Sequence, residues 1–473
     1  MALYWLSMAA LSLYGLHRVV LLYLFTKYKD KQAMPAPLPD ELPFVTVQLP
    51  LYNERFVVEG LIETACALDY PAELIEVQVL DDSMDETTEI AAAAVARLAA
   101  EGHAVELLHR HDREGYKAGA LAAGLQTARG ELVAIFDADF RPEPNFLKRV
   151  VGHFSDPKVG CVQARWTFSN REHSLLTRIQ AMFLDGHFVL EQGARNRSGR
   201  MFNFNGTAGV LRREMIDDAG GWQGDTLAED TDLSYRAQLR DWKFVLRQDV
   251  EVLSDLPEDM ASFQLQQARW AKGLIQTAIK LLPQILRSSQ PWTVKTEAWM
   301  HLTANITYVF MALLSVLVVP TAIIRYRYLG LEWLLLDIPV LLATCVSLGR
   351  FYIRAEKELF SDGRRRVLPL VPGAMAAGIA LTISNLRAVV EAIVGYRTPF
   401  LRTAKLSQAG VSTHSYLPSG GWLQWVNLTG AVYFGAAMVY TASLGAWASW
   451  PFLALFGAGY FYAGGARLRG GSR

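Results

Sequence analysis

The sequence predicts an α/β domain on a doubly wound, Rossmann-like parallel sheet, set beside an all-α transmembrane region. Three observations predict it. Short apolar runs alternate with helical segments from Phe44 to Phe136, the pattern of βαβ units. Carboxylates stand where two of those runs stop, at Asp81-Asp82-Ser83 and at Asp137 and Asp139. Long apolar stretches then flank this middle part on both sides.

Leu3–Phe25 is long enough to span a bilayer, which takes ~20 apolar residues, and Lys27, Lys29 and Lys31 follow it. A cleaved signal peptide carries its charge before the apolar run. The segment therefore reads as a retained helix with its C-terminal end in the cytoplasm. Arg18 falls inside it and reads as snorkelling towards the cytoplasmic face. Met34–Pro43 is a proline-rich linker, so the membrane anchor and linker occupy residues 1–43.

The soluble domain is expected over residues 44–290. Strands are predicted at Phe44–Leu49, Ile75–Leu80, Val105–Leu108 and Leu132–Phe136. Helices are predicted over Phe56–Leu68, over Thr87–Ala100 and in the alanine-rich stretch ending at Ala128. In open α/β sheets the ligand sits beyond the carboxyl ends of the strands. Asp137 and Asp139 are thus aimed at the site. Two acids so close repel unless a cation or a proton intervenes, and Mg²⁺ or Mn²⁺ with phosphate oxygens completing its shell answers that need.

Neither a G-x-x-x-x-G-K-[S/T] loop nor a strand-linked G-x-G-x-x-G is present, which disfavours a P-loop kinase or an ordinary dinucleotide enzyme. Tyr52 and Glu54 follow the first strand, where a base can stack and be hydrogen-bonded. Lys117 can meet a phosphate as a point charge. Lysine plus arginine equals aspartate plus glutamate at 46 each, so net charge gives no argument for nucleic acid. Three scattered cysteines offer neither a disulfide framework nor metal-ligand spacing.

Further on come Phe202–Gly209 (FNFNGTAG), Ala228-Glu229-Asp230 and Gln266-Gln267-Ala268-Arg269-Trp270. On a helix, Gln266, Arg269 and Trp270 share one face, an amide, a cation and a flat ring suited to a sugar diphosphate. In isolation Asp230 reads as a helix cap.

Together the motifs DDS, EGYKAGAL, DAD, FNGTAG, AED and QQARWAKG, in this order after PLYNE, resemble the family 2 inverting glycosyltransferases. Within them the chain is similar to the membrane-embedded cellulose synthase and cellulose synthase-like branch, especially its mannan/glucomannan-synthase-like members. The likeness is good over about residues 44–285. It implies a GT-A-type nucleotide-diphospho-sugar transferase fold. Tyr52, Glu54 and Asp81 would hold the nucleoside, Lys117 the diphosphate, and Asp137 and Asp139 the metal. Asp230 would be the general base. Gln266, Arg269 and Trp270 would bind the pyrophosphate and the acceptor end. One departure is Ala228, where the family often has threonine.

The resemblance further implies a nucleotide-sugar donor, GDP-mannose or UDP-glucose, and a growing β-glycan acceptor. A lipid acceptor such as ceramide or diacylglycerol is the alternative, and a transporter with an inactive nucleotide-binding domain is the alternative of another class. An accessory export subunit is compatible with it. Expected spans are Trp299–Ile324, Trp333–Ile353, Trp425–Leu444 and Trp450–Phe461, within a membrane region of residues 291–473. Pro369–Val394, apolar but carrying Asn385, Arg387 and Glu391, reads as an interfacial amphipathic helix. With Arg354–Arg366 and the Arg467–Arg473 tail inside, this makes five spans. Thr398–Lys405 resembles the family's gating loop. The expected location is the plasma or inner membrane, or the Golgi in a eukaryote, with the catalytic domain cytoplasmic.

Overall fold

The computed structural model describes residues 1–329, 337–396 and 421–470. Thr398–Lys405 and the last three residues of the tail lie outside them.

Eight strands form one sheet in the order β3-β2-β1-β4-β7-β6-β8-β5. They are β1 (Val45–Leu51), β2 (Ile75–Asp81), β3 (Val105–His109), β4 (Leu132–Ile135), β5 (Arg141–Pro142), β6 (Val159–Phe168), β7 (Gly209–Arg212) and β8 (Lys243–Ser254). Strands β1 to β4 run parallel, as the alternating pattern predicts. Beyond β4 the sheet is mixed: β7 is antiparallel to both β4 and β6, and β5 to β8. The reason is local. The FNFNG loop lies at the carboxyl end of β4, so a strand leaving it must run back. Successive residues of a strand face opposite ways, and both faces are covered. Val47, Leu49, Val79 and Phe136 enter one core, and Leu80, Leu121, Ile135 and Leu211 the other.

The helices in chain order begin with α1 (Ala2–Lys27), α2 (Val58–Cys66), α3 (Thr87–Ala100), α4 (Tyr116–Thr127), α5 (Phe146–Val150) and α6 (Leu175–Asp185). A π-helical stretch, Gly186–Gln192, leads from α6 into α7 (Gly193–Arg197). Then come α8 (Arg213–Asp218), α9 (Glu229–Gln238) and the long α10 (Met260–Arg287). Asp259 caps α10, its carboxylate accepting from the Ser262 amide at 2.8 Å and the Ser262 hydroxyl at 2.6 Å.

After α11 (Trp292–Leu302) the chain breaks and restarts as α12 (Thr307–Ile324), so the second apolar span begins at Ala304 and not at Trp299. The remaining helices are α13 (Asp337–Leu359), α14 (Gly363–Val367), α15 (Val371–Ala380), α16 (Thr382–Val394), α17 (Gly421–Ser443) and α18 (Trp450–Gly470). Among the described residues two helices are long and apolar enough to cross a membrane, Ala2–Lys27 and Ala304–Tyr328. The pair Gly363–Ala380 and Thr382–Val394, bent by 43°, makes a third if taken as one span. The expected single helix Pro369–Val394 is thus broken at Leu381.

Candidate active site

The carboxyl ends of β1, β2 and β4 open onto one cavity of about 840 Å³. At the end formed by the β1 and β2 loops, Asn53 turns the chain after β1 with a left-handed φ of 55°. Its amide donates to the Ser83 hydroxyl at 2.8 Å and its side-chain carbonyl accepts from the Met84 amide at 3.0 Å. This ties the β1 and β2 loops together. Tyr52 and Glu54 line the cavity, as expected, and the Arg113 guanidinium stacks 3.2 Å from the Tyr52 ring centre.

Asp81 does not line it. Its carboxylate is consumed internally by the Ser83 amide (3.0 Å), the Thr88 hydroxyl (2.6 Å) and His109 Nδ1 (2.8 Å). The acid on the cavity wall is Asp82, held two-pronged by Arg110 at 2.8 and 2.6 Å. The reason is register: Asp81 is still paired in the ladder, opposite Leu51 and His109, and ligands sit beyond strand ends. The second strand thus presents Asp82, and not Asp81, to the cavity. Arg110 and Arg113 were not anticipated.

At the centre, the Asp137 amide donates to the Thr207 hydroxyl at 2.8 Å. Its carboxylate pairs with Lys117, which also donates to the Gly206 carbonyl at 2.8 Å. Lys117 is thus seated on Asp137 rather than extended towards open space. Burial works against its charge, but Asp137, Glu229 and Asp230 outweigh burial and hold its pKa above the ordinary lysine value. Asp139 accepts from the Ser254 hydroxyl.

The donor set tests the expected cation. Asp137 and Asp139 supply carboxylate oxygens only, and the Asp137 side chain is 35% exposed and within reach. Among the described residues no group of three or more His, Cys, Asp or Glu side chains is gathered to hold an ion alone. Two oxygen ligands with the remainder left to phosphate and water suit Mg²⁺ or Mn²⁺, which keep part of their shell from substrate, and do not suit a zinc cage.

On the opposite wall α9 begins at Glu229 with no capping side chain at Ala228. Asp230 is the second residue of α9 and not its cap, and its Oδ1 accepts from the Thr231 amide at 2.6 Å. Its other oxygen meets Gly206. A β-carbon there would stand 2.9 Å from Asp230 Oδ2, and φ at Gly206 is +81°, so glycine alone fits. Burial and the neighbouring Glu229 push the Asp230 carboxyl up to about 7, against the pull of Lys117 and the Thr231 hydrogen bond. Glu229 is raised as well, mainly by burial.

Gln266, Arg269 and Trp270 all reach the cavity from α10, as their spacing predicts. Burial lowers the pKa of Arg269, while Glu229, Asp137, Asp230 and Asp139 oppose that fall. Every predicted site residue except Asp81 therefore lines one cavity.

The cavity continues between the helices, past Tyr14, Arg18, Met311 and Tyr352. Arg18 lines it, so it is turned inward rather than snorkelling. A buried polar chain floors the junction. His17 Nε2 and Arg195 Nε each lie 2.9 Å from the two Glu297 oxygens, and His187 bridges Glu191 (3.1 Å) and Asn205 (3.0 Å). His187 and Glu191 stand on the π-helical stretch, a distortion frequent at functional sites. No sequence spacing announces this network, since Arg195 and Glu297 are 102 residues apart.

Comparison with known proteins accords with this geometry. Residues 10–352 match the model of "Glycosyl transferase family 21". Glucomannan 4-beta-mannosyltransferase 2 of Arabidopsis thaliana is 42% identical over 284 residues, covering 58% of this chain and 53% of the relative. Glucomannan 4-beta-mannosyltransferase 1 of Oryza sativa subsp. japonica is 37% identical over 344 residues, covering 68% and 65%. The chain thus spans a little over half to about two thirds of these two relatives, and they bear out the mannan/glucomannan-synthase-like resemblance. The mannosyltransferase PcManGT from Pyrobaculum calidifontis, solved with GDP-Man and Mn²⁺, shares the fold with a TM-score of 0.58 at 22% identity, over 84% of this chain and all of its own. The chain has a GT-A-type fold and belongs to glycosyl transferase family 21.

Proposed function

We propose that this protein is a membrane-embedded inverting hexosyltransferase that moves mannose from GDP-mannose, or glucose from UDP-glucose, onto a growing β-glycan, processively and with export. The observation that carries this reading is that Asp230, with its carboxyl pushed up to about 7, faces the same cavity as Asp137, Asp139 and Arg269. A base tuned near working pH and an anion-binding end in one cavity are what a single displacement on a sugar diphosphate requires. The mannosyltransferase names of the relatives and the GDP-Man and Mn²⁺ of the P. calidifontis neighbour favour mannose.

In this reading Tyr52, Glu54 and Asp82 hold the nucleoside. Asp137 and Asp139 hold Mg²⁺ or Mn²⁺, which when bound supplies charge neutralisation to the diphosphate. Lys117, Gln266 and Arg269 hold the pyrophosphate oxygens. The acceptor hydroxyl attacks the anomeric carbon from the face opposite the diphosphate. Its proton passes to Asp230, and the configuration inverts. Trp270 stacks on the apolar face of the acceptor sugar. The continuation of the cavity between α1 and α12 favours a product leaving through the helices of a multi-pass protein. An accessory export subunit fits this route. The plasma or inner membrane, or the Golgi, fits the apolar helices. A second reading, one sugar placed on a lipid, is favoured by the apolar side chains of the cavity's far part, such as Met8, Leu21 and Leu348.

The test is a panel of labelled sugar nucleotides on purified protein in lipid, with the transfer rate followed against pH. GDP-mannose or UDP-glucose should be used, and the rate should rise with pH through about 7 as Asp230 ionises. Glu229→Gln removes a repelling carboxylate and should move this acid limb to lower pH. An acid limb near pH 4 in the wild type would contradict the role given to Asp230.

A further inference from the structure

Two sides of α10 do different things. Gln266, Arg269 and Trp270 face the cavity. The same side, one turn on, carries the base loop. A β-carbon on Gly273 would lie 2.7 Å from the Leu227 carbonyl carbon and 2.8 Å from the Ala228 amide, so helix and loop backbone touch with no slack. One turn on, the Gln276 side chain accepts from the Leu227 amide at 2.9 Å. Asp230 is three residues beyond Leu227.

The other side is bound to α15 and α16. Lys272 Nζ lies 2.9 Å from Glu391 Oε2, with side chains only 4% and 17% exposed. Glu391 Oε1 accepts from Arg387 Nε at 2.6 Å. Gln264 donates to the Ala380 carbonyl at 2.9 Å, at the bend between the two helices. Ile275 packs against Val389 and Ala392. Lys272 is thus a buried cation one residue from the glycine on which the base loop rests. A buried pair contributes little net stability over an apolar pair but fixes geometry where one arrangement alone satisfies it.

We infer that Lys272 and Glu391 are positioning residues for Asp230. The pair seats α16 on α10 and so fixes the height of Gly273 against Leu227 and Ala228. The inference rests on the proposed role of Asp230 as base. Neither side chain touches the reacting atoms; they act through the helix.

The test uses the full-length protein in lipid. Lys272→Met and Glu391→Gln should each lower kcat about ten-fold and raise the donor KM by much less, because Tyr52, Glu54, Asp82, Asp137 and Asp139 lie on other elements and α10 gives the donor only Gln266 and Arg269. Lys272→Arg, which keeps the charge, should restore most of the rate. The double variant should lose no more than either single one, as partners in one interaction do. Independently of activity, the amides of residues 229–233 should exchange hydrogen about ten-fold faster in Lys272→Met. Wild-type kcat and exchange in both single variants would overturn the inference. So would additive losses, or a parallel fall in kcat, rising donor KM and lower Tm that Lys272→Arg does not relieve. A wild-type protein that transfers no sugar would sink the proposed function instead, and the exchange measurement would then decide the positioning role alone.

Discussion

Asp230→Asn is expected to lower turnover about 10²- to 10³-fold, the scale of losing a general base, with donor affinity nearly intact. The amide matches the carboxylate in shape, so the contact with Gly206 and the hydrogen bond from the Thr231 amide can persist. What is lost is the ability to take the acceptor's proton. The pH profile supplies a second readout, since the limb near 7 should vanish with the group that produces it. Donor binding by calorimetry beside steady-state kinetics separates the two effects. A variant that keeps near-wild-type turnover would assign the proton to another group.

Removing the cation, or one of its proposed ligands, is the second large effect. Chelation should abolish transfer and Mg²⁺ or Mn²⁺ should restore it. Asp139→Ala should cost at least ~10²-fold, because the diphosphate would then leave without neutralisation. Asp137→Ala should be as severe and also disturb Lys117, whose pKa is held up chiefly by that carboxylate. Donor binding should weaken in both variants, and in this they differ from Asp230→Asn. Full activity in excess chelator would remove the metal from the account.

How much of this could be read beforehand depended on the range of the interaction. The run Leu132–Phe136 ends in two acids, and an apolar run stopping at carboxylates is a local signal; the structure puts both acids on the cavity wall. Gln266, Arg269 and Trp270 were legible for the same reason, since helical spacing fixes which side chains share a face. Asp81 lies off the cavity by one residue, because where a strand stops depends on its neighbours. Paired with both Leu51 and His109, β2 runs to Asp81 and hands the cavity to Asp82. The reversal of β7 and the Glu297 network depend on contacts between segments far apart in the chain, which no window of sequence contains. Arg18 was read from the bilayer alone, and the neighbouring helices gave it an inward face.

The central claim is that one cavity transfers sugars repeatedly and passes the product between its helices. The most direct measurement is the size and linkage of what purified protein in lipid vesicles makes from a single labelled sugar nucleotide. The account predicts a ladder or high-mass product whose new linkages are β, sensitive to a β-mannanase or β-glucanase. A product carrying one sugar on lipid, unchanged across enzyme-to-donor ratios, would contradict it and leave the lipid glycosyltransferase reading in its place.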